Sequence, residues 1–213
     1  MPNAFHNIST NNKKKLLSLL ESKVEYFTKN ESILNNYTNE NIVGIIEEGL
    51  IQVVKISNNG NTNIIQELST NEVFTTDVNT FFSNTDIIAL EDSKIIIIDY
   101  DYIIENLDNN KDYFNQFIKN LFVIMNEKIL EKNERIQILT KKTIRNKFLE
   151  YLNLQSRSKG SRNIYLPYSY KDLADYLAVD RSALAREISS LRQEGFIETK
   201  GRKITILFDN KQK

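Results

Sequence analysis

The stretch "SYKDLADYLAVDRSALAREISSLRQEGFIETKGRK", residues 169–203, decides the fold of the C-terminal part of the chain. Ser169 and Asp172 have the Ser-x-x-Asp spacing of a capping box, which predicts that the helix "YKDLADYL" begins there. After the turn "AVD", Asp180 can cap a second helix, which is predicted to run to Gly195. The segment "FIETKGRKITILF" then predicts a β-hairpin around "KGR". This order of elements is that of a winged helix-turn-helix.

The second of these helices has two different faces. Leu184, Ile188 and Leu191 recur at helical spacing and predict a face that packs on the first helix. The outward face carries Arg181, Ser182, Ala185, Arg186 and Ser189. Small side chains would let this face enter a DNA major groove about 12 Å wide, where Arg181, Ser182 and Arg186 could contact base edges. The alternative is a solvated, salt-bridged surface.

Charge is divided unevenly along the chain of 213 residues, whose net charge is zero. Residues 1–134 hold 11 basic and 20 acidic residues, a net charge of −9, whereas residues 135–213 hold 17 and 8, a net charge of +9. All eight arginines lie in the second part. This asymmetry favours a basic nucleic-acid-binding module joined to an acidic domain. Phosphate contacts are expected from Lys171, Lys200, Arg202 and Lys203, whereas Arg192 is expected to be a surface residue that complements the helix dipole.

Residues 164–206 resemble the DNA-binding domain of the Crp/Fnr family of bacterial transcription regulators, and "DRSALAREISSLRQEGFI" resembles its recognition helix and the start of its wing. The resemblance implies an α+β chain with a cupin-like β-roll of the cyclic-nucleotide-binding type (1–110), a long dimerisation helix (111–139) and a winged helix-turn-helix (140–213). The family's groove-facing positions fall on Arg181, Ser182 and Arg186. The cyclic-AMP-sensing member has a glutamate where this chain has Ser182, so its operator need not be shared.

The N-terminal part is rich in β-branched residues. "IVGIIEEGLIQVVKIS" and "NIIQEL" flank Asn59-Gly60, which predicts a hairpin from about Ile45 to Leu68 and a sandwich or β-roll rather than a parallel α/β sheet. In the family, turn glycines often occupy the positions of Gly49 and Gly60. "NNKKKLLSLLESKVEYF" is predicted to be a short helix, and Asp99 is predicted to cap the helix "YDYIIENL". "QSRSKGSRN" is predicted to be a loop.

Residues 111–139 contain no Gly or Pro and predict one long helix. Its apolar stripe comprises Phe114, Ile118, Leu121, Met125, Ile129, Ile136 and Leu139, and Lys132 interrupts it. We expect Phe114, Ile118, Leu121, Met125 and Ile129 to pack on a second copy of the helix. The alternative is a helix buried only within its own chain.

Cyclic-nucleotide binders of this fold hold the ribose and phosphate with a Gly-Glu pair and a nearby arginine. Here Thr75 and Thr76 fall at the Gly-Glu positions, and residues 1–134 contain no arginine. Asp77 and Asp86 would add repulsion, so tight binding of cyclic AMP or cyclic GMP is not expected. A small mixed pocket for an uncharged or cationic effector could be lined by Thr75, Thr76, Thr80, Phe81, Phe82 and Thr85. The alternative is an ordinary loop and strand edge.

Other classes of function lack their usual residues. The chain has no cysteine and its single histidine is His6, so iron–sulfur, haem and metal sites are not expected and no cofactor is predicted. No Gly-rich phosphate loop is present, and no enzyme activity is expected. No membrane-spanning run or secretory signal is evident, which favours the cytoplasm. The sequence therefore predicts a homodimeric regulator that binds double-stranded DNA at an inverted repeat, and contacts RNA polymerase if it activates. The alternative is a protein-interaction module whose roll and winged helix dock a protein.

Overall fold

The computed structural model describes residues 3–37, 41–56, 62–76, 85–166 and 169–208. The chain divides into two compact units, Met1–Glu127 and Lys128–Lys213. The first unit contains α1 (Thr10–Leu19), β1 (Lys23–Phe27), a 3-10 turn (Leu34–Asn36), β2 (Ile42–Glu48), β3 (Leu50–Ile56), β4 (Thr62–Ser69), β5 (Val73–Thr75), β6 (Thr85–Ala89), β7 (Ser93–Asp99) and α2 (Tyr100–Glu105). The long helix α3 (Asp112–Leu139) begins in the first unit and ends in the second. The second unit also contains α4 (Ile144–Lys159), β8 (Asn163–Tyr165), α5 (Tyr170–Tyr176), α6 (Arg181–Gln193), β9 (Ile197–Lys200) and β10 (Lys203–Ile206).

Two antiparallel sheets form the first unit, with strand orders β1-β7-β2-β5 and β4-β3-β6. The expected β-roll is confirmed, but the hairpin does not begin at Ile45. Ile45 lies in β2 of one sheet, whereas the hairpin β3–β4 belongs to the other. Gly49 separates the two strands at φ +108°, and a Cβ there would lie 2.2 Å from Ser93 Oγ. The hairpin tip, Asn59-Gly60, lies outside the described residues.

The strand β7 is buried on both faces. Ile95 and Ile97 contribute to the core shared by the two sheets, and Ile96 and Ile98 contribute to the core that covers the other face. This division follows from the alternation of side chains along a strand. Helical side chains complete the second core, including Leu16 and Leu20 near the end of α1 and Phe114 and Phe117 of α3.

The first predicted helix is shorter than its sequence pattern. Ser9 Oγ accepts a hydrogen bond from Asn12 N at 3.3 Å and caps α1, which ends at Leu19. The following residues "KVEYF" form β1, because their β-branched and aromatic side chains suit a strand that pairs with β7. The cap predicted for α2 is confirmed, since Asp99 Oδ1 accepts from Asp101 N at 2.9 Å.

The predicted long helix is confirmed as α3, and one face of its first half is buried in the first unit. Asn120, 5% exposed, donates from Nδ2 to the carbonyl oxygens of Ala4 at 3.0 Å and His6 at 2.8 Å. Phe114 and Phe117 are fully buried on the same side. Phe114 therefore has no surface to offer a second copy, because its own chain already covers it.

The second unit has one core formed by α4, α5, α6, the end of α3 and the sheet β8-β10-β9. The loop predicted for residues 155–163 begins later than expected. Residues 155–159 continue α4, and Gly160 ends the helix at φ +58° with its amide directed to the last turn. The helix continues through these residues because Gly160 is the first that takes the left-handed conformation, which favours glycine and ends a helix.

Candidate DNA interface

Side-chain caps begin both helices of the helix-turn-helix where the sequence predicts. Ser169 Oγ accepts from Asp172 N at 3.2 Å, and Asp172 Oδ2 accepts from Ser169 N at 3.3 Å, which completes the capping box. The hydrogen bond from the Ser169 hydroxyl lowers the pKa of Asp172. Asp180 Oδ1 accepts from Ala183 N at 2.8 Å and caps α6. These bonds satisfy amide groups that the helix itself cannot pair.

The turn between the two helices holds an alanine in the left-handed region. Ala178 has φ +50°, a conformation that costs a side-chain-bearing residue about 1 kcal/mol or more. Val179 N donates to Ala174 O at 3.0 Å, so the turn closes on α5. Lys147 Nζ of α4 donates to Leu177 O at 3.1 Å. Its positive charge complements the partial negative charge at the C-terminal end of α5. The sequence offers no local signal for this contact.

The two faces predicted for α6 are confirmed as a buried and an outer side. Leu184 and Leu191 are almost fully buried and Ile188 is 8% exposed. At the end of the helix, Gly195 has φ +76°, and Phe196 N donates to Leu191 O at 2.9 Å. Gly195 N donates to Arg192 O, so both hydrogen bonds of a Schellman motif are present.

The structure brings together the residues predicted to face the groove. Arg181, Ser182, Ala185 and Arg186 are exposed, and Ser189 is half-buried. Ser189 borders a shallow depression of about 190 Å³, which Tyr170, Ala185, Ile188, Arg192 and Thr199 also line. Arg192 was expected to be a surface residue that complements the helix dipole. It is exposed in the last turn of α6, and it also lines this depression between α6 and the wing.

The predicted wing is confirmed as the hairpin β9–β10, with Gly201 at φ +59° in its turn. Tyr170 of α5 donates from its hydroxyl to Gly201 O at 3.0 Å, and burial raises the pKa of this tyrosine. The guanidinium of Arg202 lies 5.1 Å from the centre of the Tyr165 ring. Two tyrosines that the sequence reasoning did not single out therefore fix the wing tip and one of its cations.

The cations expected to contact phosphate all lie at the surface of the second unit. Lys171, Lys200, Arg202 and Lys203 are exposed. Three of them are in the wing, and Lys171 follows the residue that holds the wing tip.

A cluster of charged residues fixes the C-terminal end of α6. Arg145 of α4 donates from Nη1 to Glu194 Oε1 at 3.0 Å and from Nη2 to Glu194 Oε2, and its Nη1 lies 3.5 Å from Glu187 Oε1. The hydrogen bond to Glu194 raises the pKa of Arg145, and the same bond lowers the pKa of Glu194. Ser190 Oγ also donates to Glu194 at 2.7 Å. No sequence pattern joins residues 145 and 194.

The residues predicted for an effector pocket are only partly described. Thr75 is exposed and Thr85 is half-buried, whereas Thr80, Phe81 and Phe82 lie outside the described residues. Thr76 is buried, and its Oγ1 accepts from Ile42 N at 2.8 Å. Asp86 Oδ1 accepts from Ser32 Oγ at 2.6 Å. Thr76 and Asp86 thus make hydrogen bonds within the roll.

Among the residues that the structure describes, no group of three or more His, Cys, Asp or Glu side chains is arranged to hold a metal ion. In the same ranges, no helix combines the length and apolarity needed to cross a bilayer.

Exposed apolar side chains follow the outer side of α3. Phe122 is 71% exposed, and Met125, Ile129 and Ile136 are each more than half exposed. Ile118 and Leu121 are half-buried. The periodicity of the sequence did not predict Phe122 on this side, because α3 has two apolar faces and the pattern alone does not say which one its own chain covers.

Comparisons with known proteins agree with this geometry. Residues 147–208 match the sequence profile of the Crp-like helix-turn-helix domain. The structure of CprK complexed with OCPA shares 15% identity over 92% of each chain, with a TM-score of 0.61. A CooA variant from Carboxydothermus hydrogenoformans shares 18% identity over 95% of this chain and 94% of its own, with a TM-score of 0.55.

The Catabolite Activator Protein of Thermus thermophilus shares 14% identity over 95% of this chain and 92% of its own, with a TM-score of 0.50. No curated protein sequence matches the chain. The matching structures share the whole fold, with its β-rich N-terminal region, long helix and C-terminal helix-turn-helix. Residues 147–208 therefore match a Crp-like helix-turn-helix domain in a chain that shares its fold with these proteins, and the family resemblance indicated by the sequence is confirmed.

Proposed function

We propose that this protein is a homodimeric transcription regulator that binds an inverted-repeat DNA operator through α6. The exposed face of α6 carries the proposal, because it places two arginines and a serine outward on a Crp-like domain. Arg181 and Arg186 would contact guanine edges, and Ser182 would contribute a less selective hydroxyl. Ala185 and Ser189 would keep the face narrow enough to enter the groove.

Affinity without sequence preference would come from the wing and α5. Lys200, Arg202 and Lys203 would contact phosphates on one side of α6, and Lys171 would contact them near the start of α5. The hydrogen bond from Tyr170 to Gly201 supports this role, because it ties the wing to the first helix of the motif. Each phosphate that these cations neutralise would make the DNA affinity fall more steeply as the salt concentration rises.

The second copy would pack on the exposed apolar side of α3. Phe122, Met125, Ile129 and Ile136, which are exposed, would provide its main contacts, and the half-buried Ile118 and Leu121 would lie at its edge. A dimer that places two copies of α6 in successive major grooves requires half-sites roughly 34 Å apart. The operator would therefore be an inverted repeat with about one helical turn between its half-sites.

An effector of this protein would differ from cyclic AMP and cyclic GMP. The first unit offers no arginine to a phosphate, since Arg135 is the first arginine of the chain. Thr76, at a position where cyclic-nucleotide binders carry an acidic residue, bonds to the backbone of β2. CprK, which has the same fold, has a solved structure in complex with OCPA, so a ligand other than a cyclic nucleotide is compatible with this fold.

Selection of bound DNA from a random pool by the purified protein tests the proposal. We expect recovery of an inverted repeat, and Arg186→Ala should abolish the enrichment while Arg157→Ala, an exposed change on α4, should not. Binding that shows no salt dependence and no sequence enrichment would instead favour a protein-docking role. Titration with cyclic AMP should leave both DNA affinity and the calorimetric baseline unchanged.

A further inference from the structure

The apolar repeat along α3 contains one charged residue. Its positions follow at alternating spacings of four and three residues: Ile118, Phe122, Met125, Ile129, Lys132 and Ile136. This alternation is the pattern by which two helices pack knobs into holes in a coiled coil. Lys132 is exposed within its own chain and lies between the exposed Ile129 and Ile136. It therefore occupies a seam position in the homodimer proposed above, on which the following argument depends.

A two-fold operator requires the two copies of α3 to be parallel. Both DNA-binding domains must lie at the same end of the dimer, so each seam residue near the two-fold axis faces its own counterpart. Lys132 would then face the same lysine of the second copy. A seam shifted by one heptad would place the two lysines in two different layers and would disturb two apolar layers instead of one.

The positions that flank Lys132 along the seam carry no acidic residue. The flanking positions nearest the seam are Lys128 and Arg135, which are also cationic, and Asn133. The carboxylates of this segment, at Glu127, Glu131 and Glu134, lie roughly 100° or more around the helix from Lys132. Arg135 directs its guanidinium towards the Tyr176 ring, at 5.2 Å from the ring centre. The seam therefore brings the two Lys132 ammonium groups together, with no acidic residue at the flanking positions beside them.

We propose that Lys132 sets both the register and the strength of the dimer seam. The lysine pair fixes the register of the two parallel helices, because every shifted alignment would disturb a second apolar layer. The same pair weakens the dimer through repulsion and through the partial loss of water around the ammonium groups. The seam is consequently held near dissociation, and DNA affinity depends on protein concentration through the monomer–dimer equilibrium.

Sedimentation equilibrium of the full-length chain tests this role. We expect Lys132→Leu to lower the dimer dissociation constant by about tenfold or more, since it completes the apolar repeat. Glu134→Leu is the matched control, because Glu134 is exposed on the same helix but lies roughly 160° around it from Lys132, and it should leave the constant unchanged. Raising salt should strengthen the wild-type dimer by screening the lysine pair, and should have little effect on Lys132→Leu.

A charge exchange tests the register directly. When wild-type protein is mixed with Lys132→Glu, native mass spectrometry should show the heterodimer above its statistical share, because lysine then faces glutamate. A statistical mixture, or equal dimer constants for Lys132→Leu and Glu134→Leu, would overturn the role of Lys132 while leaving the dimer intact. If wild type and Lys132→Leu both stay monomeric on operator DNA, the proposed dimeric function itself fails.

Discussion

The guanidinium of Arg145 on α4 donates to both carboxylate oxygens of Glu194, the residue that caps the C-terminus of α6. The same guanidinium lies over the Phe196 ring, at 5.2 Å from its centre. Asp180 fixes the other end of α6 through its N-cap bond. The orientation of α6 is therefore held at both ends by side chains outside the predicted DNA-contacting face.

Replacing Arg145 by lysine tests this positioning role. Arg145→Lys keeps the charge but cannot form two parallel hydrogen bonds to one carboxylate, so α6 should be held less firmly. We expect weaker operator binding in fluorescence anisotropy, with the slope of log affinity against log salt unchanged. Arg157→Lys, at the exposed end of α4, is the control and should bind as wild type does. A smaller salt slope for Arg145→Lys would show instead that Arg145 contacts phosphate.

Arg186 and Lys203 are predicted to act on DNA in different ways. Arg186→Ala should cost about 1–3 kcal/mol of operator affinity and relax the preference at one base pair in each half-site. Lys203→Ala should weaken binding to all sequences alike and lower the salt slope by about one per subunit. Binding curves on the selected operator and on its single-base variants, at several salt concentrations, separate the two effects. The assignments are wrong if both variants change specificity equally.

The winged helix could be predicted closely because its signals are local. Ser169, Asp172, Asp180 and Gly195 each act within a few residues of their own position, and each has the predicted role in the structure. The contact between Arg145 and Glu194 joins residues far apart in the chain and leaves no pattern of spacing. Such contacts depend on how the helices pack, so the sequence reasoning could not find them.

The β-roll and the long helix show where periodicity is ambiguous. Glycine occurs in strands and in turns alike, so periodicity alone could not tell the break at Gly49 from a glycine inside one long strand such as Gly44, and only the family resemblance pointed to a turn there. In α3, Phe114 and Phe122 have equally apolar side chains, but Phe114 is buried and Phe122 is exposed. The pattern predicts the helix, whereas only the packing of the first unit shows which face its own chain covers.

Ala178 is predicted to be a stability-limiting residue of the helix-turn-helix. Its left-handed backbone is strained for alanine and unstrained for glycine, so Ala178→Gly should raise the free energy of unfolding of the second unit by about 0.5–1 kcal/mol. Ala185→Gly, on the exposed face of α6, should lower it by about 1 kcal/mol, because glycine weakens a helix interior. Urea unfolding followed by circular dichroism measures both changes. Equal destabilisation by the two substitutions would contradict strain at Ala178.

Glu47 links α1 to the sheet and is predicted to make the first unit sensitive to acid. Its carboxylate accepts from Lys13 Nζ at 2.6 Å and lies 2.9 Å from Lys94 Nζ. Burial acts to raise the pKa of Glu47, but the bonds to the two lysines outweigh it and lower the pKa below the ordinary value of a glutamate. A carboxyl whose pKa falls on folding stabilises the protein above its unfolded pKa, and this contribution is lost as the pH falls through the folded value.

Glu47→Gln should therefore be less stable than wild type at pH 7 and should lose less stability on acidification. The side chains are partly exposed, so we expect a difference of about 1 kcal/mol at neutral pH that shrinks between about pH 5 and pH 3. Glu67→Gln, on the exposed side of β4, is the control and should follow the wild-type acid profile. Thermal unfolding of the full-length chain across this pH range measures the difference. A constant gap between wild type and Glu47→Gln at every pH would mean that the loss comes from packing and not from the carboxylate charge.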